Sequence, residues 1–187
     1  MKRSAVLISL TVVLVVVFLG LGLVAFAYSG AANVAASEDY LPGVKWFFAT
    51  VSDNSIKAHA EEAATRGEIS EPAEVTDAML RKGASEYQAM CVPCHGTPGG
   101  SRGEFGRGMK PEPPDLANVA REMELREVYW VLHHGIRHTG MPAFGGSHST
   151  EDLWAIATFV ERFDEMTPAQ YEQWIKESGA KINSHSH

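Results

Sequence analysis

From Ser4 to Ala27 the chain runs for 24 residues without a single charge. As a helix this stretch is about 36 Å long, enough for the roughly 30 Å hydrocarbon core of a bilayer. A run this apolar has two physical homes, a membrane or a cleavable export leader. Ala25-Phe26-Ala27 fits the small-x-small pattern of a leader cleavage site, but leaders carry apolar cores of only about 7 to 15 residues. The length therefore favours a retained anchor over residues 1–27. Lys2 and Arg3 stand before the run, so the positive-inside rule keeps the N-terminus in the cytoplasm and exports the chain beyond Tyr28. The expectation is a single-pass protein of a bacterial inner membrane with its folded part in the periplasm.

All 23 acidic residues and 14 of the 16 basic ones lie beyond the apolar run. That part carries a net −9, which argues against nucleic acid as a partner, because phosphate binding needs basic patches. It is long enough for about one domain plus accessories. With only two cysteines in the chain, a disulfide scaffold, a four-thiolate cluster and an all-cysteine zinc site are all excluded.

Residues 28–75 read as a juxtamembrane aromatic segment followed by an acidic linker. Trp46, Phe47 and Phe48 stand just beyond the span, and aromatic side chains favour the headgroup level, so a short interfacial helix fits; a helix docked on the folded domain or on a partner fits equally well. From Ala60 to Val75 the mixture of Glu, Ala and Gly with a Ser-Glu-Pro break predicts a linker with partial helix. Residues 38–77 hold nine acids against three bases, which keeps the region solvated. About 16 flexible residues there would reach about 20 to 24 Å on average.

Residues 76–166 predict an all-α domain, since no alternating strand run is present. A first helix, 77–90, leads into Cys91-Val92-Pro93-Cys94-His95. A loop over 96–115 with six glycines and four prolines argues against regular structure. A second helix covers 119–134 with Asn118 as its N-cap and Gly135 as its stop. The last core helix opens on Ser149-Thr150-Glu151-Asp152, similar to a capping box, and sets Leu153, Ile156, Ala157 and Val160 on one stripe. Residues 167–187 add a short helix, with Thr167-Pro168 at its start and Gly179 at its end, and a tail. His185 and His187 in that tail have no supporting ligands and read as solvated.

Cys91-Val92-Pro93-Cys94-His95 is the C-x-x-C-H pattern by which c-type haem is attached. Two thiols three residues apart on a helical turn reach the two vinyl groups of one porphyrin, and the next residue offers an imidazole to the iron. A redox-active dithiol is the first rival, but that motif belongs at a strand-to-helix junction and no strand precedes Cys91. A zinc site using Cys91, Cys94 and two later histidines is the second; the 38 residues between His95 and His134 do not match finger spacing.

From about Ala78 to Phe163 the sequence resembles the monohaem class I cytochromes c. Gly83, Tyr87 and Cys91 match the family's glycine, aromatic and first haem cysteine at steps of four. The spacing lets the last core helix cross closely at Gly83 with Tyr87 packed one turn along, against Phe159 or Trp154. Pro114-Asp115-Leu116 resembles the family's Pro-x-Leu, whose proline carbonyl accepts a hydrogen bond from the proximal histidine; a longer glycine-rich insertion leaves Pro113 as the competing residue. Gly140-Met141-Pro142 resembles the axial methionine loop. The resemblance thus implies a small cytochrome c fold holding one covalent haem c through Cys91 and Cys94, with Tyr87 and Pro114 as supporting residues and His95 and Met141 as iron ligands. Met109 and Met123 compete with Met141 by chemistry alone, and His138 offers an imidazole instead. His133, His134 and His148 read as helix-end or surface residues, and His59 as structural.

An iron with both axial positions filled has no open site for substrate. The resemblance therefore implies a membrane-tethered one-electron carrier, not an enzyme, with redox proteins as donor and acceptor and no small-molecule substrate. Two arrangements fit: a shuttle, or a fixed electron-entry subunit of a membrane oxidoreductase, similar in its single span to the haem c subunit of bacterial nitric oxide reductase. A haem enzyme or gas sensor in which Met141 is displaced is the reading from a different class.

Overall fold

The computed structural model describes residues 2–41 and 43–180. His185 and His187 lie outside the described residues. All regular structure among the described residues is helical, and the chain divides into two compact units, one up to Asp39 and one from Tyr40 onward.

The first unit is built on α1 (Lys2–Tyr28), with Arg3–Tyr28 long and apolar enough to cross a membrane and none of it buried within the protein. Ser29 ends the helix by turning its hydroxyl back to the Phe26 carbonyl at 2.7 Å.

The second unit is assembled around α8 (Thr150–Val160). Ser149 caps it through the Asp152 amide while the Asp152 carboxylate accepts from the Ser149 amide at 3.0 Å, the reciprocal bonding of a capping box. Instead of one apolar stripe, every residue from Leu153 to Val160 is buried, so α8 is surrounded on all sides. Thr158, the polar member, is satisfied by its own helix, its hydroxyl donating to the Trp154 carbonyl at 2.9 Å.

Against α8 packs α3 (Asp77–Met90), started by Thr76, whose side chain accepts from the Met79 amide. The crossing is close at Gly83: a Cβ there would run into the Ala155 carbonyl oxygen and lie 2.8 Å from the Phe159 Cβ. One turn on, Tyr87 is fully buried in an aromatic cluster with Phe159, Phe163 and Tyr171, the ring centres 6.1, 4.8 and 6.2 Å from its own. Trp154, the other expected partner, stacks instead on Tyr129 at 4.1 Å. Tyr171 belongs to α9 (Pro168–Ser178), which also packs on α3 and closes the cluster.

Between these elements lie α4 (Val92–His95) and α5 (Glu104–Arg107), each a single turn, then α6 (Leu116–Glu122) and α7 (Leu125–His134). The glycine-rich loop therefore contains a helical turn that its composition does not predict. The expected helix over 119–134 is two helices. Asp115, not Asn118, caps the first through the Ala117 amide, and Met123 takes an extended backbone with φ −110° and ψ 142°. The chain restarts at Glu124, whose side chain and that of Glu127 form a second capping box.

Within residues 28–75, expected as an aromatic segment and a linker, residues 44–65 form one long helix. α2 (Val44–Thr65) packs its C-terminal half against α7, burying Ile56, Ala60 and Ala63, and the chain beyond it buries Ile69. Two side-chain contacts fix the register: His59 stacks on Trp130 with ring centres 6.0 Å apart, and Arg126 reaches Glu61 at 2.9 Å. The spacing of 56, 60 and 63 is that of one helix face, and burial of these small and branched side chains outweighs the repulsion of the acidic exposed face.

Candidate haem-attachment site

The two cysteines and His95 occupy one turn at the end of α3. The Cys91 carbonyl accepts from the His95 amide at 2.8 Å, and Gly96 closes the turn with φ 76° and ψ −164°. A side chain at Gly96 would strike the Ser101 carbonyl, so glycine serves both the left-handed backbone and the close approach. The Gly96 carbonyl, in turn, accepts the Tyr87 hydroxyl at 2.6 Å inside the core. Tyr87 thereby ties the turn to the α3–α8 crossing.

The next loop folds back over the same turn. Gly103 lies on the Pro93 carbonyl and Gly106 on the Cys94 carbonyl, each so close that no Cβ fits. Arg102 crosses to the Pro113 carbonyl, donating from Nε at 2.7 Å. Pro113 and Pro114 are thus separated in role: the carbonyl of Pro114, not that of Pro113, lies 3.1 Å from His95 Nδ1. A carbonyl only accepts, so Nδ1 carries the proton and Nε2 keeps its lone pair. Burial holds the His95 imidazole below its usual pKa, with the Pro114 carbonyl opposing and Arg102 reinforcing the shift, and the neutral ring is the form that can ligate a metal.

The thiols are not bonded to each other. Burial pushes Cys91 up to about 12, with the neighbouring Cys94 thiol a smaller contribution. Cys91 directly follows the helix α3, not the strand-to-helix junction at which a redox dithiol belongs. Nor does any set of three His, Cys, Asp or Glu side chains among the described residues converge as a metal site, which the zinc reading requires.

Met141 sits in a loop pinned to the C-terminal end of α7. The Ile136 amide donates to the Met141 carbonyl at 3.1 Å, and the Met141 amide to Thr139 Oγ1 at 3.0 Å. Beyond it, the Phe144 and Gly145 amides each donate at 3.0 Å to the last carbonyls of α7, those of Leu132 and His133. Gly135, at φ 65°, leaves room for this passage; a Cβ there would lie 2.7 Å from the Ala143 nitrogen. The Met141 side chain packs on the core, whereas His138, with φ 61°, is exposed. Met123 packs on the core at the helix break. Met109 is far from Met141 in sequence, yet a Cβ on Gly140 would lie 2.6 Å from its sulfur, so Met109 packs against the residue that precedes Met141.

His133 stands at a helix end, as its sequence position implies, but its ring lies over Gly145 and its Nδ1 is buried without a partner. No sequence signal marks this residue, because only the fold brings the methionine loop across it. Burial lowers the pKa of the neighbouring His134, helped by His133, and His148 meets Phe144 edge-on at 5.3 Å.

The donor set fits a haem c: two unpaired thiols on one turn, followed by an imidazole whose other nitrogen is already engaged. Residues 78–160 match the family described as "Cytochrome C oxidase, cbb3-type, subunit III". This segment is a class I c-type cytochrome domain, which implies covalently bound haem c. A search of curated proteins returns no match to the chain.

Proposed function

We propose that the chain is a membrane-tethered, periplasmic one-electron carrier with a single haem c, anchored by α1. The observation that carries this reading is the hydrogen bond from His95 Nδ1 to the Pro114 carbonyl on the Cys91–His95 turn, which leaves Nε2 free to ligate iron. Cys91 and Cys94 would hold the haem covalently, and His95 with Met141, in its pinned loop, would ligate its iron. When bound, the haem supplies a site that takes up and releases one electron. The protein orients the His95 ring, keeps it neutral and excludes water with the apolar faces of α3, α7 and α8, and an iron held by both His95 and Met141 would have no position left for substrate. Its redox partners are proteins at the same membrane.

The test is the absorption spectrum of the ferric protein beside that of Met141→Ala. A weak far-red band from methionine sulfur on iron, lost in the variant while the haem stays covalently attached, is the expected result. A wild type that is already high spin and binds carbon monoxide would move the protein to the enzyme or sensor class. An unchanged variant spectrum would remove Met141 as ligand.

The description of the matched family, together with α2 packed on the domain in place of a mobile spacer, supports a second reading, a fixed electron-entry subunit of a membrane oxidoreductase. Recovery of the protein from mild detergent as a discrete monomer favours the carrier, and recovery in a stoichiometric complex favours the subunit.

A further inference from the structure

The two halves of α2 have different surroundings. Its second half is clamped on α7, but Val44 to Val51 bury no residue against the domain. This free half contains one charge, Lys45, and exposes Trp46, Phe47 and Phe48 at 69%, 54% and 59%, with Val51 and, just before the helix, Leu41 also open. At about 100° per residue the three aromatics fan over about 200° of the helix circumference, centred opposite the stripe of Ile56, Ala60 and Ala63 that faces α7. After Ser52 the same side of the helix turns polar, with Asn54, Lys57, Glu61 and Glu62. The change is therefore along the helix axis, from an apolar end to a solvated one.

A second protein helix would cover one narrow stripe, leaving part of so wide a fan in water. A medium that surrounds the helix end covers all of it. The free half is about 12 Å long, close to the depth of roughly 5 to 10 Å at which interfacial helices bury their apolar surface. Trp is suited to the headgroup level, and Lys45 can reach phosphates from it. The membrane-spanning segment ends at Tyr28, 16 residues before Val44, a length that spans at most about 58 Å. Any bilayer holding that segment is within reach.

We propose that Val44–Val51 insert into the headgroup and acyl boundary of a phospholipid bilayer, making α2 a rigid arm with lipid at one end and the cytochrome domain clamped to the other. This rests on the reading of α1 as a retained anchor. The arm holds the domain at a set distance from the lipid surface instead of letting it range on a flexible spacer.

The test uses the full-length haem-loaded protein in vesicles of phosphatidylcholine and phosphatidylglycerol, with a nitroxide on Val13→Cys, Phe47→Cys, Val51→Cys or Ala58→Cys, each variant keeping the wild-type haem spectrum. Collision with oxygen, which concentrates in lipid, is compared with collision with a water-soluble nickel chelate. The expected result is an oxygen-to-nickel ratio several-fold higher at 47 and 51 than at 58, with 13 higher still. If 47 and 51 match 58 while 13 is lipid-exposed, the arm is overturned and the anchor stands. Shielding of 47 and 51 from both reagents means a protein partner, and also overturns it. A water-exposed position 13 removes the anchor reading and the proposal with it.

Discussion

Replacing Gly83 with alanine tests whether the crossing of α3 over α8 sets the frame of the cytochrome domain. The added Cβ would collide with the Ala155 carbonyl oxygen and lie 2.7 Å from its carbon and 2.8 Å from the Phe159 Cβ, where ordinary contact begins at 3.4 Å. Two of these atoms are backbone in a helix buried on every side, so no side chain can swing away and the helices must part. Overpacking costs about 1–3 kcal/mol, with backbone obstacles placing this case near the top; alanine's better helix propensity returns about 1 kcal/mol at most. A net loss of about 2 kcal/mol, with a guanidinium slope of about 2–6 kcal/mol/M, lowers the unfolding midpoint by roughly 0.3–1 M. Gly146→Ala, where the structure leaves open space and φ is not positive, is the control and should stay within about 0.5 kcal/mol of wild type. A Gly83→Ala midpoint equal to or above that of the wild type would refute the reasoning.

Tyr87→Phe removes the hydroxyl that satisfies the Gly96 carbonyl and should cost about 1–2 kcal/mol in denaturant unfolding, while leaving the aromatic cluster in place. Asp152 is held down to about 2, first by Lys82, then by Ser149. Its folded pKa is depressed, so its contribution is full above the unfolded value near 4 and fades as pH falls through about 2. For a solvent-accessible pair, Asp152→Ala should lose about 1 kcal/mol at pH 7, and the difference from wild type should close near pH 2 in urea titrations. Ile56→Ala opens a cavity where α2 meets α7; a loss of about 2–4 kcal/mol of local stability should appear as faster amide exchange over residues 52–65 than in wild type.

Where local chemistry decides, the sequence is a sufficient guide. Thr76, Ser149 and Thr167 start helices because a side-chain oxygen beside the first amides satisfies them whatever the rest of the chain does, and α3, α8 and α9 begin where those residues stand. Cys91, Cys94 and His95 share one short run of chain, so their chemistry is legible without a fold. Glu124 and Glu127 also form a cap, but two glutamates at this spacing look like helix interior, and nothing in the sequence marks the break at Met123.

The tertiary structure alone decides every relation between residues far apart in the chain. The choice of Pro114 over Pro113, the placing of Met109 beside Gly140, the orphaned nitrogen of His133 and the docking of α2 on α7 all depend on which surfaces meet. The spacing of Ile56, Ala60 and Ala63 announces a buried face but not the helix that buries it. Periodicity is a property of one segment, whereas burial free energy belongs to a pair of surfaces, and only the folded chain specifies the pair.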